Sequence, residues 1–252
     1  MAGWDKIRAA AQRPDCIFSA FPDGTAGAMY HPRGAADESL TPKNNACINN
    51  GAFTKLGAGK TSFFASKFDI NGIAHDLTIL AKFYVDVPAG TSTCRFAAVM
   101  FGDSGSGGGP GIHGLRGTYE YDGKNFPMNA SVTYNYIKSD GTAGTANPSL
   151  GWTPLPCRTW HTMAMSIDVE KKTSGYRCLR FFINGELKKT ERPDQTWWRD
   201  VNAAASLKTW GNGVHISETN DTADAGSVWQ VAWGLIFNRA LSDEEIKYLS
   251  ED

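Results

Sequence analysis

Apolar and polar residues alternate along much of this chain, most often with a period of two. Leu77, Ile79, Ala81, Phe83, Val85 and Val87 alternate with Thr78, Lys82, Tyr84 and Asp86. That run predicts a β-strand, which Pro88-Ala89-Gly90 ends. A second, more buried strand is expected over 95–101. Residues 115–137 supply aromatic-rich strands, with Tyr119, Tyr121, Tyr134 and Tyr136 at the same period. His161, Met163, Met165, Ile167 and Val169 alternate with Thr162, Ala164, Ser166 and Asp168, the pattern of a half-buried strand. After a turn around 170–175, a strand over 177–183 runs into Asn184-Gly185. Both residues tolerate positive φ, as a two-residue type I′ hairpin requires. Glu186-Leu187-Lys188-Lys189 begins the return strand. Over 228–237, Trp229, Val231, Trp233, Leu235 and Phe237 fall on one face. Val228, Gln230, Ala232, Gly234 and Ile236 fall on the other. One bulky face and one small or mixed face suit a strand packed in a sandwich.

Two segments break this period. Over 3–13, Trp4, Ile7 and Ala11 share one face of a short helix, with Asp5, Lys6, Arg8 and Gln12 mostly elsewhere. A helix this short must dock on something, either its own domain or, as an arm, a neighbouring subunit. Near the end, Ser242 with Glu245 forms a capping box and Leu241 with Ile246 a hydrophobic staple. Asp243 and Glu244 complement the dipole of the helix expected over 243–249. Between these elements, 14–60 reads as loop with short strands. The stretch 103–111 (DSGSGGGPG) reads as a flexible loop and 139–156 as a long Gly/Pro/Ser/Thr loop.

Composition refines the picture. The 252 residues are 41% hydrophobic and 20% charged, enough for a core. The 27 glycines are spread between apolar runs, as in a protein of many strands and turns. No composition change marks a domain boundary, and no repeat is present. The expected organisation is an N-terminal arm or short helix over 1–15 and one β domain over 16–252. With a net charge of -1 and no basic block, no nucleic-acid partner is expected. No run is long and apolar enough for a membrane span. The first ten residues lack a signal peptide's apolar stretch, so the expectation is cytoplasmic synthesis without a leader. Cys16, Cys47, Cys94, Cys157 and Cys178 form no CxxC pair and read as reduced thiols. Neither His nor Cys recurs at zinc-ligand spacing.

The closing segment carries a resemblance. Trp160-His161 opens a strand, Phe182-Ile183-Asn184-Gly185-Glu186 forms a hairpin, and Asn238-Arg239-Ala240-Leu241-Ser242-Asp243-Glu244-Glu245-Ile246 starts the final helix. Together these resemble the concanavalin A-like/laminin-G-like jelly-roll superfamily. The match covers roughly the last 90 residues well and the first 150 only in style. It departs at Gly226-Ser227-Val228-Trp229-Gln230, where the acidic residue of many members is missing. A polar or metal role at that position is therefore unsupported. The resemblance implies an all-β fold, a two-sheet antiparallel jelly-roll sandwich with a short C-terminal helix. It fixes no activity, because lectins, adhesins, toxin domains and glycosidases share the fold.

The candidate chemistry is sparse. Gly57-Ala58-Gly59-Lys60-Thr61 imitates a phosphate loop, but Thr54 stands where that motif needs its first glycine. Gly102-Asp103-Ser104-Gly105 is similar to a protease serine loop, without a histidine in a matching context. Glu120 and Asp122 would share a strand face as a glycosidase carboxylate pair, but the third acid is absent. The loop 218–224 is the densest cluster of oxygen ligands, with Glu218, Asn220, Asp221 and Asp224 as candidate ligands for calcium. Asn129-Ala130-Ser131 and Asn220-Asp221-Thr222 fit the glycosylation pattern. Trp152, Trp197, Trp198 and Trp210 lie in polar or Gly/Pro-rich surroundings, where indoles stack on sugar rings or anchor partner proteins.

These features lead to one main expectation. The chain reads as a non-catalytic binding or adhesion module for glycan or a protein surface. It is expected on a large assembly such as a phage virion, as a decoration or receptor-binding protein, with oligomerisation or particle assembly in view. The alternatives are a glycoside hydrolase of the same fold and a purely structural spacer or cementing protein.

Overall fold

The structure, a computed structural model, describes residues 2–23, 27–32, 38–55, 62–68, 76–90, 95–101, 111–115, 122–131, 134–137, 140–146, 149–169, 173, 178–191, 213–219 and 227–251. The chain opens with α1 (Ala2–Ala11), then β1 (Cys16–Asp23), β2 (Gly27–Pro32), β3 (Glu38–Ser39), β4 (Thr41–Lys43), β5 (Ala46–Asn49), β6 (Ala52–Lys55) and β7 (Ser62–Ala65). Next come β8 (Leu77–Asp86), β9 (Arg95–Phe101), β10 (Gly111–Leu115), β11 (Asn125–Ser131), β12 (Tyr134–Ile137), β13 (Ala143–Ala146) and β14 (Thr153–Pro156). It closes with β15 (Trp160–Asp168), β16 (Cys178–Ile183), β17 (Glu186–Glu191), β18 (Val214–Thr219), β19 (Val228–Phe237) and a final helix, α2 (Asp243–Ser250).

The strands form an all-β, two-sheet antiparallel sandwich. The larger sheet runs β17-β16-β15-β8-β19-β1-β2-β3, with β6 also on β19 and β5 on β6. The smaller runs β14-β11-β10-β9-β18-β7-β4, and β12 pairs with β13 apart from both. Between the sheets lies the main core, including Phe18, Phe53, Phe83, Phe96, Phe126 and Trp229. Phe96 stacks on Trp229 at 4.9 Å between ring centroids, and Phe126 meets the same indole edge-on at 5.0 Å.

A second core covers the outer face of the larger sheet. There α1 places Ile7 and Ala10, and α2 places Ile246 and Leu249, against Phe21, Leu80, Trp233 and Phe237. The predicted apolar face of α1 is thus docked on its own sandwich. Lys6 Nζ donates to the carbonyl of Tyr248 at 2.8 Å, tying the two helices together. This cover explains why β15 is not half-buried: beyond Trp160 every residue from His161 to Asp168 is buried. Its outward residues are small or polar, and Ser166 is hydrogen-bonded at 3.2 Å by Arg180 Nη2.

Three expectations need correction. The stretch 14–60 is richer in strands than its composition suggests, and β1 within it is a central strand between β19 and β2. Ile17, Phe18, Ala20 and Phe21 are all buried, so β1 shows no alternation to read. The stretch 139–156 holds β13 and β14 rather than a continuous loop. In β19 a bulge between Val231 and Trp233 shifts the register against β8. Trp229, Val231 and Ile236 therefore face the inner core, whereas Trp233, Leu235 and Phe237 face the helices. A bulge adds one residue to one strand, so the alternation changes phase across it. Gly234 sits just past the bulge, where a Cβ would come within 2.5 Å of Val99 Cγ2.

The closing motifs form as predicted. Asn184 and Gly185 take φ of 50° and 78°, as the type I′ turn requires. Asn184 Oδ1 also accepts from Thr162 N at 2.9 Å, pinning the hairpin to β15. Gly185 lies under α2, where a Cβ would meet Lys247 Cα at 3.2 Å. Ser242 Oγ accepts from Glu245 N at 3.2 Å, and Glu245 Oε2 accepts from Ser242 N at 3.0 Å, completing the capping box.

Candidate functional site

The structure places some of the sequence-predicted residues and leaves others outside the described set. Trp152 precedes β14, the edge strand of the smaller sheet, and is 51% exposed. Lys189 Nζ of β17 donates to the carbonyl of nearby Ser149 at 2.6 Å, so Trp152 sits at a side seam of the sandwich. Trp197, Trp198 and Trp210 lie outside the described residues, as do Asn220, Asp221 and Asp224. Glu218 is on β18, opposite Ala97 of β9. Among the described residues, no group of three or more His, Cys, Asp or Glu converges as a metal site would.

Other candidates have structural explanations. Glu120 lies outside the described residues, while Asp122 Oδ1 accepts from Lys124 N at 2.7 Å and Asn125 N at 3.1 Å. Those backbone hydrogen bonds hold its carboxyl below the usual range and cap the turn into β11. Residues 57–61 and 102–105 are also outside the described set. Asn129 is buried in mid-strand, which withholds it from a glycosylating enzyme. Cys16, Cys47, Cys157 and Cys178 are free thiols, and burial pushes the Cys16 thiol up to about 12.

The open part of the larger sheet offers more. Strand alternation settles its facing: Phe83 and His161 pack together inside at 6.1 Å between rings, so Tyr84 and Trp160, one residue on in each pairing, point outward. Tyr84 and Trp160 are direct cross-strand partners with ring centroids 5.6 Å apart at 47°. Trp160 is 39% exposed and Tyr84 partly so, so among the described residues this end of the sheet is only partly covered. Beside the pair, Arg158 Nε lies 3.0 Å from Asp86 Oδ1. Arg158 has φ of 61°, and its N–H donates to the Val85 carbonyl at 2.8 Å, which holds the turn against β8. Burial, then the Asp86 charge, raises the Tyr84 phenol, so it stays protonated as a donor.

This strip runs into a cleft of about 280 Å³ between the two helices. Its sheet side carries Lys82, Trp160, Thr162, Ala232 and Trp233. Helix α1 contributes Trp4 and Ile7, and the end of α2 contributes Leu249, Ser250 and Glu251. The Asn50-Gly51 turn between β5 and β6 completes the rim. In the sequence Trp160 marks only the opening of a strand. Its outward parity, opposite in phase to His161, Met163 and Met165, was the available signal of exposure.

No known family profile matches the sequence, and no curated protein matches it. Solved structures do share the fold. The receptor-binding domain of botulinum neurotoxin D superposes with a TM-score of 0.57 at 11% identity, over 94% of this chain and 52% of that one. The serotype G binding domain gives 0.53 at 13% identity, over 93% and 50%. The binding domain of botulinum neurotoxin DC in complex with SialylT gives 0.55 at 11% identity, over 94% and 50%. The chain thus spans about half the length of these structures, and the likeness is one of fold.

Proposed function

We propose that this chain is a non-catalytic binding module that recognises glycan through the outer face of its larger sheet. The observation that carries this reading is the half-exposed Trp160, paired with Tyr84 on the outer face of the sheet beside a cleft. Indole and phenol faces accept the C–H faces of sugar rings, while tyrosine and neighbouring polar side chains hydrogen-bond the hydroxyls. The names of the structural neighbours support a binding role: one is a neurotoxin binding domain in complex with SialylT, another a binding domain with rat synaptotagmin II. The same reading takes the fold as laminin-G-like, with one sandwich domain over 16–252 and, over 1–15, a short helix that docks on it. Trp152, Trp197, Trp198 and Trp210 are proposed as further contacts. Calcium held by Glu218, Asn220, Asp221 and Asp224 is proposed as an accessory.

A glycan array probed with the full chain, with and without calcium, tests this reading. Trp160→Ala should lose binding while its thermal midpoint stays close to that of the parent, because the side chain is a surface one. An array on which the parent chain binds nothing would overturn the glycan reading. Display on a phage virion, as a decoration or receptor-binding protein, belongs to the same proposal. Electron microscopy of the native particle should then find the module at regular positions, and particles without it would remove that part.

A further inference from the structure

We infer that the cleft between α1 and α2 seats a single neutral pyranose ring, and that Trp4, carried in by the first helix, helps set specificity there. This rests on the glycan reading and goes further, because it makes α1 part of the binding site.

Size comes first. Pockets for drug-sized ligands span about 300–1,000 Å³. At about 280 Å³ this cleft falls just below that range, suiting one ring rather than a chain. Chemistry comes next. Three indoles line it, from Trp4, Trp160 and Trp233, each on a different element. Trp233 is buried and forms floor, whereas Trp160 is half-exposed. Indole faces suit the C–H surface of a sugar. The polar lining mixes donors and acceptors, including Asn50, Lys82 and Glu251. Hydroxyl groups both donate and accept, so they can use such a mixture. One Lys and one Glu leave the lining without net charge, which favours neither an anionic nor a cationic ligand.

The role of α1 follows from its attachment. Trp4 packs on Phe21 at 6.1 Å between rings, and Ile7 and Ala10 are buried on the sheet. The cleft keeps its Trp4 wall only while this helix is docked. A ligand that binds the docked state alone must stabilise docking by mass action. At one hundred times the dissociation constant, α1 amides that exchange through undocking should slow by up to about a hundredfold.

The experiment uses the full chain with methyl glycosides of glucose, galactose and mannose, and sialic acid as an anionic comparator. Titration calorimetry and hydrogen exchange are the readouts. One neutral glycoside should bind, and it should slow exchange in α1. Trp4→Ala should weaken it by roughly tenfold and Trp4→Phe by less, as loss of one aromatic wall implies. If Trp4→Ala fails to fold, exchange in the parent chain decides alone. If binding needs Trp160 but neither slows α1 nor depends on Trp4, this inference falls while the glycan reading stands. Preference for sialic acid would overturn the neutral ring. If neither these sugars nor the array glycans bind, both readings fall.

Discussion

Arg180 shows how a charged side chain serves this fold from inside. It is buried in β16, yet it donates to the Leu241 carbonyl at 2.6 Å and to Ser166 Oγ at 3.2 Å, and it pairs with Asp243. It thus fastens the start of α2 to the sheet. Arg180→Ala should cost about 3 kcal/mol, because buried acceptors lose a charged donor. Urea unfolding measures this, and a loss under about 1 kcal/mol would show that the contacts are replaced by water. A second network has a pH signature. Hydrogen bonds from Arg239, more than burial opposes, hold the Glu245 carboxyl down to about 2. Burial works against Asp15 as well, but hydrogen bonds from Arg13 and Arg239 lower its carboxyl. A depressed folded pKa stabilises above the unfolded value, and the contribution is lost as pH falls through the folded one. For Glu245 the effect should be full above about pH 5, fade below its ordinary value of 4.5, and vanish near 2. Solvent screening reduces it to the order of 1 kcal/mol. Urea midpoints followed from pH 7 to pH 2 should drop less steeply in Glu245→Gln. At this scale the sequence disclosed Ser242, Glu245, Asn184 and Gly185, because their roles depend on near neighbours. The role of Arg180 is not legible there, because its partners Leu241 and Asp243 lie 61 and 63 positions away.

Elements were legible where one period ran unbroken. β8 and β15 announce themselves by alternation, and α2 by its capping residues. β1 did not, because both its faces are covered and its apolar run carries no phase. β19 is legible as a strand but its facing is not: the bulge at Val231 and Trp233 turns Trp233, Leu235 and Phe237 to the other core. Short strands such as β13 and β14 hide among Gly, Pro and Thr because pairing, rather than propensity, makes them strands. The candidate site follows the same rule. Trp152 was recognised as a loop aromatic and is exposed. The Trp160–Tyr84 pair depends on the register of β15 against β8, which no local pattern encodes.

At the scale of the whole molecule, the larger sheet is a middle layer between the smaller sheet and the two helices. That arrangement was beyond reach of the sequence, since it requires knowing which strands are neighbours. It also brings distant parts of the chain together. β1 starts beside the end of β19, with Cys16 opposite Phe237 and Asn238 N donating to the Asp15 carbonyl at 2.9 Å. Across the same seam Arg239 pairs with Asp15 and Arg13 with Glu245. The two strands are antiparallel, so these two ends lie at the same end of the pair. A tether pulling on residues 15 and 238 loads their hydrogen bonds one after another, as a zip opens. Pulling on residues 23 and 238 loads them all at once, in shear. Single-molecule stretching should therefore find the first geometry mechanically soft and the second several times stronger, and equal rupture forces would contradict the seam. The seam between β1 and β19 is thus a mechanical fuse with a direction: load applied across residues 15 and 238 opens it one bond at a time, and load applied along the strands meets all of its bonds together.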